Sequence, residues 1–252
     1  MSLLSMKDIY LPVTDLERSI KWFKNIFDVR FAWVDDKKGK INFANDTSIV
    51  LVESNQLNEY THIPFNLESQ NMVKSRSMLI EKEVRTKSSI SDGFHCLDFF
   101  DPDGNRLGLV GAEIPNKLDQ HQKVAICATF LAVRNIDKAI DWYSEIFGLS
   151  FRSWSFRGGA GYNSHTYEHD LTINYAASNF PHWGGITLVE TPKVNPLVHI
   201  PYIIQTSDAL ALYNKLQIKD INIGKLQRDN GTNYFEFVDI EGNQIGISDE
   251  LN

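Results

Sequence analysis

Cysteine is nearly absent: only Cys96 and Cys127 occur, and they are far apart. This excludes a disulfide scaffold and a CxxC zinc or redox site. Long apolar runs are missing too. The longest nearly apolar stretch, 125–133, has nine residues, against the roughly 20 a membrane-spanning helix needs. Lys7 and Asp8 fall where a signal peptide would carry its apolar core. Positive charge is in deficit, with 25 Lys plus Arg against 32 Asp plus Glu, a net −7, and no basic run. That gives no electrostatic reason to expect nucleic acid or an anionic membrane as partner. No Walker loop, GxGxxG or GxSxG motif occurs. Gly158-Gly159-Ala160-Gly161 reads as a loop, because no strand-to-helix context surrounds it. These absences leave a soluble, reduced, cytoplasmic protein as the expectation. The 252 residues, 42% hydrophobic and 23% charged, are ordinary globular composition for one or two domains.

The strongest positive signal is an internal repeat. VTDLERSIKWFKNIFDVRF begins at Val13 and VRNIDKAIDWYSEIFGLSF at Val133, an offset of 120. His62-Ile63-Pro64-Phe65 answers His199-Ile200-Pro201-Tyr202 at an offset of 137. Asp101-Pro102-Asp103-Gly104-Asn105 answers Asp239-Ile240-Glu241-Gly242-Asn243 at an offset of 138. The second copy therefore carries 17 or 18 extra residues, which we place between Phe156 and Pro181. Two domains follow, 1–113 and 123–252, joined by a polar, Pro-containing linker at 114–122.

Each copy mixes two periodicities. Thr14 to Glu17 reads as a capping box, followed by Leu16, Ile20, Phe23 and Phe27 at helical spacing. Asn135 caps the matching helix, whose apolar face carries Ile136, Ile140, Tyr143 and Phe147. Residues 40–53 read as a hairpin turning at Asn45-Asp46, with 170–176 and 185–190 as its counterpart. Further helices are predicted near 69–83 and near 207–217, the latter capped by Ser207. The order strand, helix, three strands thus occurs four times, and the three-strand runs favour antiparallel pairing. Pro12, Pro64 and Pro201 place the first strands of units at an edge or a loose junction, because proline cannot donate to a ladder.

Four βαβββ units, opened by LPVTDLERSIKWF and LAVRNIDKAIDWY and closed by FFDPDGNRLGL and FVDIEGNQIGI, resemble the vicinal oxygen chelate superfamily. That group includes glyoxalase I, bleomycin-resistance proteins, methylmalonyl-CoA epimerase, fosfomycin-resistance enzymes and extradiol dioxygenases. The resemblance covers nearly the whole chain. It implies an α+β fold of two tandem domains, each of paired βαβββ units forming a half-open, mostly antiparallel sheet barrel. One cavity per domain is expected. It also implies a divalent metal, where chemistry is present, that binds two neighbouring substrate oxygens as a Lewis acid.

The implied ligand positions fall on Asp8, Leu51 (with Glu53 two residues on), His62 and Gly108 in the first domain. In the second they fall on Ala128, Leu188 (with Glu190), His199 and Gly246. The first-strand His and last-strand Glu of the metal-binding members are missing twice. His62, His199, Glu53 and Asp8 remain as candidate metal ligands, in incomplete sets, so a cofactor is not expected although a divalent metal stays possible. Trp33, Trp154 and Trp183 are candidate ligand-binding aromatics. His165, His169 and His182 stand in the extra segment, as a ligand-covering loop or a second metal site. The closing turns are assigned no chemistry.

Three readings follow. One is a small-molecule binder, its metal site partly or wholly lost, as a monomer or homodimer. The second is a metal-dependent lyase, isomerase or dioxygenase using His62 or His199. The third is a non-catalytic scaffold.

Overall fold

The computed structural model describes residues 3–27, 29–43, 47–91, 94–111, 124–157, 172–179, 185–229 and 231–249. The linker 114–122 lies outside them. Four βαβββ units follow one another. The first is β1 (Leu3–Val13), α1 (Leu16–Phe27), β2 (Arg30–Asp35), β3 (Lys38–Asn42) and β4 (Ser48–Glu53). The second is β5 (Phe65–Ser69), α2 (Met72–Glu81), β6 (Thr86–Ser91), β7 (Phe94–Phe100) and β8 (Arg106–Gly111). The third is β9 (Val124–Val133), α3 (Ile136–Phe147), β10 (Arg152–Arg157), β11 (Thr172–Asn179) and β12 (Gly185–Glu190). The fourth is β13 (Tyr202–Thr206), α4 (Ala209–Ile218), β14 (Gln227–Asp229), β15 (Thr232–Val238) and β16 (Gln244–Asp249).

The fold class is the expected one: α+β, with paired βαβββ units in half-open sheets. Within each unit only the first and fourth strands run parallel, as β1 with β4 and β5 with β8. The pairing of units differs from the expectation of one cavity per sequence half. One sheet has the order β14-β15-β16-β13-β1-β4-β3-β2, and the other β10-β11-β12-β9-β5-β8-β7-β6. The first unit therefore joins the fourth through antiparallel β1 and β13, and the second joins the third through β5 and β9. Each sheet ends in two outer strands, so neither closes into a barrel.

Helix-side packing holds each sequence half together instead. Ile20, Phe23 and Phe27 of α1 are buried, as their spacing predicts. Trp22 stacks on Phe99 at 6.2 Å, and Trp142 stacks on Phe237 at 6.3 Å. Each pair ties a helix of one unit to a sheet strand of the next. The closing turns take part. Asp103 accepts from the Thr14 and Arg18 side chains at the α1 start, and Asp239 accepts from the Tyr143 hydroxyl at 2.8 Å.

Two helix caps sit one residue from where the sequence places them. Asp15 Oδ1 accepts from Arg18 N at 2.9 Å, while the Thr14 hydroxyl donates to Asp103. Asp208, not Ser207, caps α4. Asn135 caps α3 as expected. The proline expectation also needs correcting. β1 is central, between β13 and β4, and Pro12 lies inside it. The Tyr10 amide donates to Pro201 O, so an amide two residues on would point past the start of β13, where no partner strand remains. Pro64 and Pro201 sit just before β5 and β13, and both carbonyls accept neighbouring-strand amides.

Candidate functional site

The segment from β4 to β5 crosses from one sheet to the other and carries His62 into a cavity of about 420 Å³ in the second sheet. Alternation along the strands sets the walls. Leu131 and Val133 of β9 belong to the helix-side core. Phe130 and Ala132 turn the other way and pack with Ile173, Tyr175 and Val189. Trp154 of β10 stacks on Tyr175 at 5.5 Å with 7° between the planes. Phe130 lies 4.9 Å from the His62 ring.

His62 is 7% exposed. Its Nδ1 lies 3.1 Å from the Ile63 carbonyl, and its Nε2 lies 3.3 Å from the Tyr175 hydroxyl. A carbonyl only accepts, so Nδ1 carries the proton, and Nε2 of the neutral ring accepts from Tyr175. Burial pushes the imidazole down to about 4, with the Ile63 carbonyl opposing and Arg106 adding to the fall. His62 is therefore neutral near pH 7.

Asp98 of β7 is the carboxylate of the cavity. Burial raises its pKa, and the Arg106 guanidinium counters that rise. Arg106 Nε donates to Asp98 Oδ2 at 2.7 Å and a second guanidinium nitrogen donates to the same oxygen. The pair cancels its own charge. Asn66 of β5 faces Ala128 across the antiparallel pair and Gly108 across the parallel one. A Cβ on Gly108 would stand 1.8 Å from Asn66 Oδ1, so the carboxamide occupies the space a side chain at 108 would need. Asn66 Oδ1 is buried with no hydrogen-bond partner among the described residues.

The candidate metal ligands are not brought together. Register puts Asn66 opposite Ala128, and Ile203 opposite Asp8. Asp8 lies in the other sheet, bound by Lys40 Nζ at 2.6 Å and the Ser48 hydroxyl at 2.7 Å. Glu53 accepts from Leu16 N at the start of α1, and Glu190 from Ile136 N at the start of α3. Both serve helix ends. His199 Nε2 lies 3.0 Å from the Ser54 hydroxyl and 2.8 Å from the Gln56 carbonyl, holding one crossing segment to the other. Among the described residues no three His, Cys, Asp or Glu side chains converge. In this cavity the implied positions Ala128 and Gly108 carry no ligating side chain, and the donors that line it are the His62 imidazole, the Cys96 thiol, the Asn66 amide and an Asp98 carboxylate already paired with Arg106. These residues do not fit a family-type divalent metal.

Trp154, 43% exposed, is one of the residues that line the cavity. Trp33, 58% exposed, lies on an outer strand of the other sheet against Phe31. Trp183, His165, His169 and His182 lie outside the described residues. Tyr175, Phe130, Asn66 and Asp98 escaped the sequence reading. Strand alternation alone could have placed Phe130 and Tyr175 on one face, but not opposite His62.

Residues 124–247 match the family model described as Glyoxalase/Bleomycin resistance protein/Dioxygenase superfamily. No curated protein matches the chain in sequence. Among solved structures, glyoxalase I from Zea mays aligns with a TM-score of 0.72 at 16% identity, covering 97% of this chain and 92% of its own. A putative dioxygenase from Bacillus subtilis subsp. subtilis str. 168 aligns with a TM-score of 0.68 at 12% identity, covering 100% and 86%. At such identities the likeness speaks for the fold. Residues 124–247 thus belong to the glyoxalase/bleomycin-resistance/dioxygenase superfamily, and the whole chain carries its tandem fold.

Proposed function

We propose that this protein binds a small, neutral, largely apolar organic molecule in the cavity of the second sheet, without a family-type metal centre. The observation that carries this reading is the lining itself. Trp154, Tyr175, Phe130 and Ile63 supply flat apolar surface around about 420 Å³. That volume lies within the range of ligand pockets, which are mostly apolar with a few placed polar groups. Here those groups are His62, Asn66 and Thr187, with Asp98 neutralised by Arg106. No described helix is long and apolar enough to cross a membrane, and the reading calls for no membrane or nucleic-acid partner.

The test is a thermal-shift screen of neutral aromatic compounds against EDTA-treated protein. Binders should raise the midpoint in EDTA, and Ala128→Trp, which fills the cavity, should abolish the shift. Shifts that appear only when a divalent metal is restored would support the metal-dependent reading instead.

A further inference from the structure

One row of residues in register crosses the cavity. Asp98, Gly108, Asn66 and Ala128 stand opposite one another across β7, β8, β5 and β9. Leu97 and Phe99 belong to the helix-side core, so strand alternation turns Asp98 toward the cavity it lines. Asp98 is 6% exposed. Arg106 places both of its hydrogen bonds on one carboxylate oxygen, Oδ2. Among the described residues nothing donates to Oδ1, Lys87 on the facing strand β6 included. Asn66 Oδ1, two places along the row, lacks a donor as well. A buried carboxylate oxygen without a donor carries a desolvation cost that a partner removes. Arg106 already balances the charge, so the partner that suits Oδ1 is a neutral donor and not a cation.

We infer that Asp98 Oδ1 is the ligand's hydrogen-bond acceptor in this cavity, so that the site selects neutral organic molecules carrying an O–H or N–H. The inference rests on the small-molecule reading above and deepens it. A donor on the ligand makes a charge-assisted hydrogen bond to the carboxylate, stronger than one between neutral groups. A ligand of the same shape that presents only an oxygen sets lone pairs against the carboxylate. It also leaves its own polar atom desolvated without a bond.

Indole and benzofuran separate these cases. They share shape and size, but indole carries one N–H donor where benzofuran carries an oxygen. Calorimetric titration of the EDTA-treated full chain should show indole binding about tenfold or more tighter. Equal affinities in the unaltered protein overturn the donor rule and leave the small-molecule reading standing, and this comparison needs no variant to fold. Asp98→Leu combined with Arg106→Leu removes both charges together, so neither is left buried alone. In that double variant the two affinities should come within about twofold of each other. Asp98→Asn is the second variant. It keeps the volume, removes the charge and adds an N–H pair, so it should shrink the preference while benzofuran binding holds or improves. An indole preference that persists undiminished in either variant places the donor's partner elsewhere and overturns the role of Asp98. Failure of both compounds to bind the unaltered protein overturns the small-molecule reading itself, and the inference with it.

Discussion

His62 is a neutral base by location. The ring trades water for Phe130, Tyr175 and the Ile63 carbonyl, and burial holds its pKa near 4. The unfolded chain, with an ordinary value near 6.5, takes up the proton first. His62 therefore supports the fold fully above pH 6.5, and that support drains as pH falls toward 4. Asp101 works in the opposite sense. Burial raises it to about 6, so the folded form protonates first and gains as pH falls from 6 toward 3.8. The two oppose each other in the whole protein, so the test is a difference. Between pH 6.5 and 5, urea unfolding of His62→Phe against the unaltered chain should shift in the variant's favour by about 2 kcal/mol. A flat difference would refute the buried-base assignment. Gly108 gives a second residue-scale prediction. Gly108→Ala puts a methyl 1.8 Å from Asn66 Oδ1 and 2.6 Å from Ile63 Cδ1, and should cost about 1–3 kcal/mol in thermal unfolding. Adding Asn66→Ala should recover part of that loss. His62 was legible as a candidate from its repeat partner His199. Asn66 was not, because the antiparallel register that sets it against Ala128 includes an irregularity next to it.

At the scale of elements, local chemistry predicted the helices and strands well and their caps less well. Thr14 reads as a cap from its neighbours. In the fold its hydroxyl serves Asp103, 89 positions away, and Asp15 takes over the first turn. No local pattern contains that competitor. The closing turns were legible as turns, but their docking was not. Asp239 accepts from Glu241 N, Asn243 N, the Asn243 side chain and the Tyr143 hydroxyl. Asp239→Ala should strand several buried donors at once and cost roughly 3–5 kcal/mol, readable by urea unfolding. A loss below about 1 kcal/mol, the ordinary effect of a point change, would mean the turn does not clamp α3.

At the scale of the molecule, the fourfold repeat was plain from the sequence, whereas its pairing was not. All four units offer the same first-strand edge, so sequence similarity cannot say which edge meets which. The answer is β1 with β13 and β5 with β9, so each sheet, and the cavity, needs both halves of the chain. A fragment of residues 1–113 would leave β1 and β5 with open edges, which are templates for association. It should dimerise or aggregate in sedimentation, and mixing it with 123–252 should give a one-to-one complex. A stable, monomeric 1–113 would contradict the shared-sheet account.

The central claim is that the cavity works without a family-type metal, and metal content tests it most directly. The untagged protein is incubated with zinc, nickel, manganese or iron(II), desalted and analysed for bound element. The account predicts that no metal is retained near one equivalent by the cavity residues. Near-stoichiometric retention that disappears in His62→Ala would contradict it and place a metal where this reading puts an organic ligand.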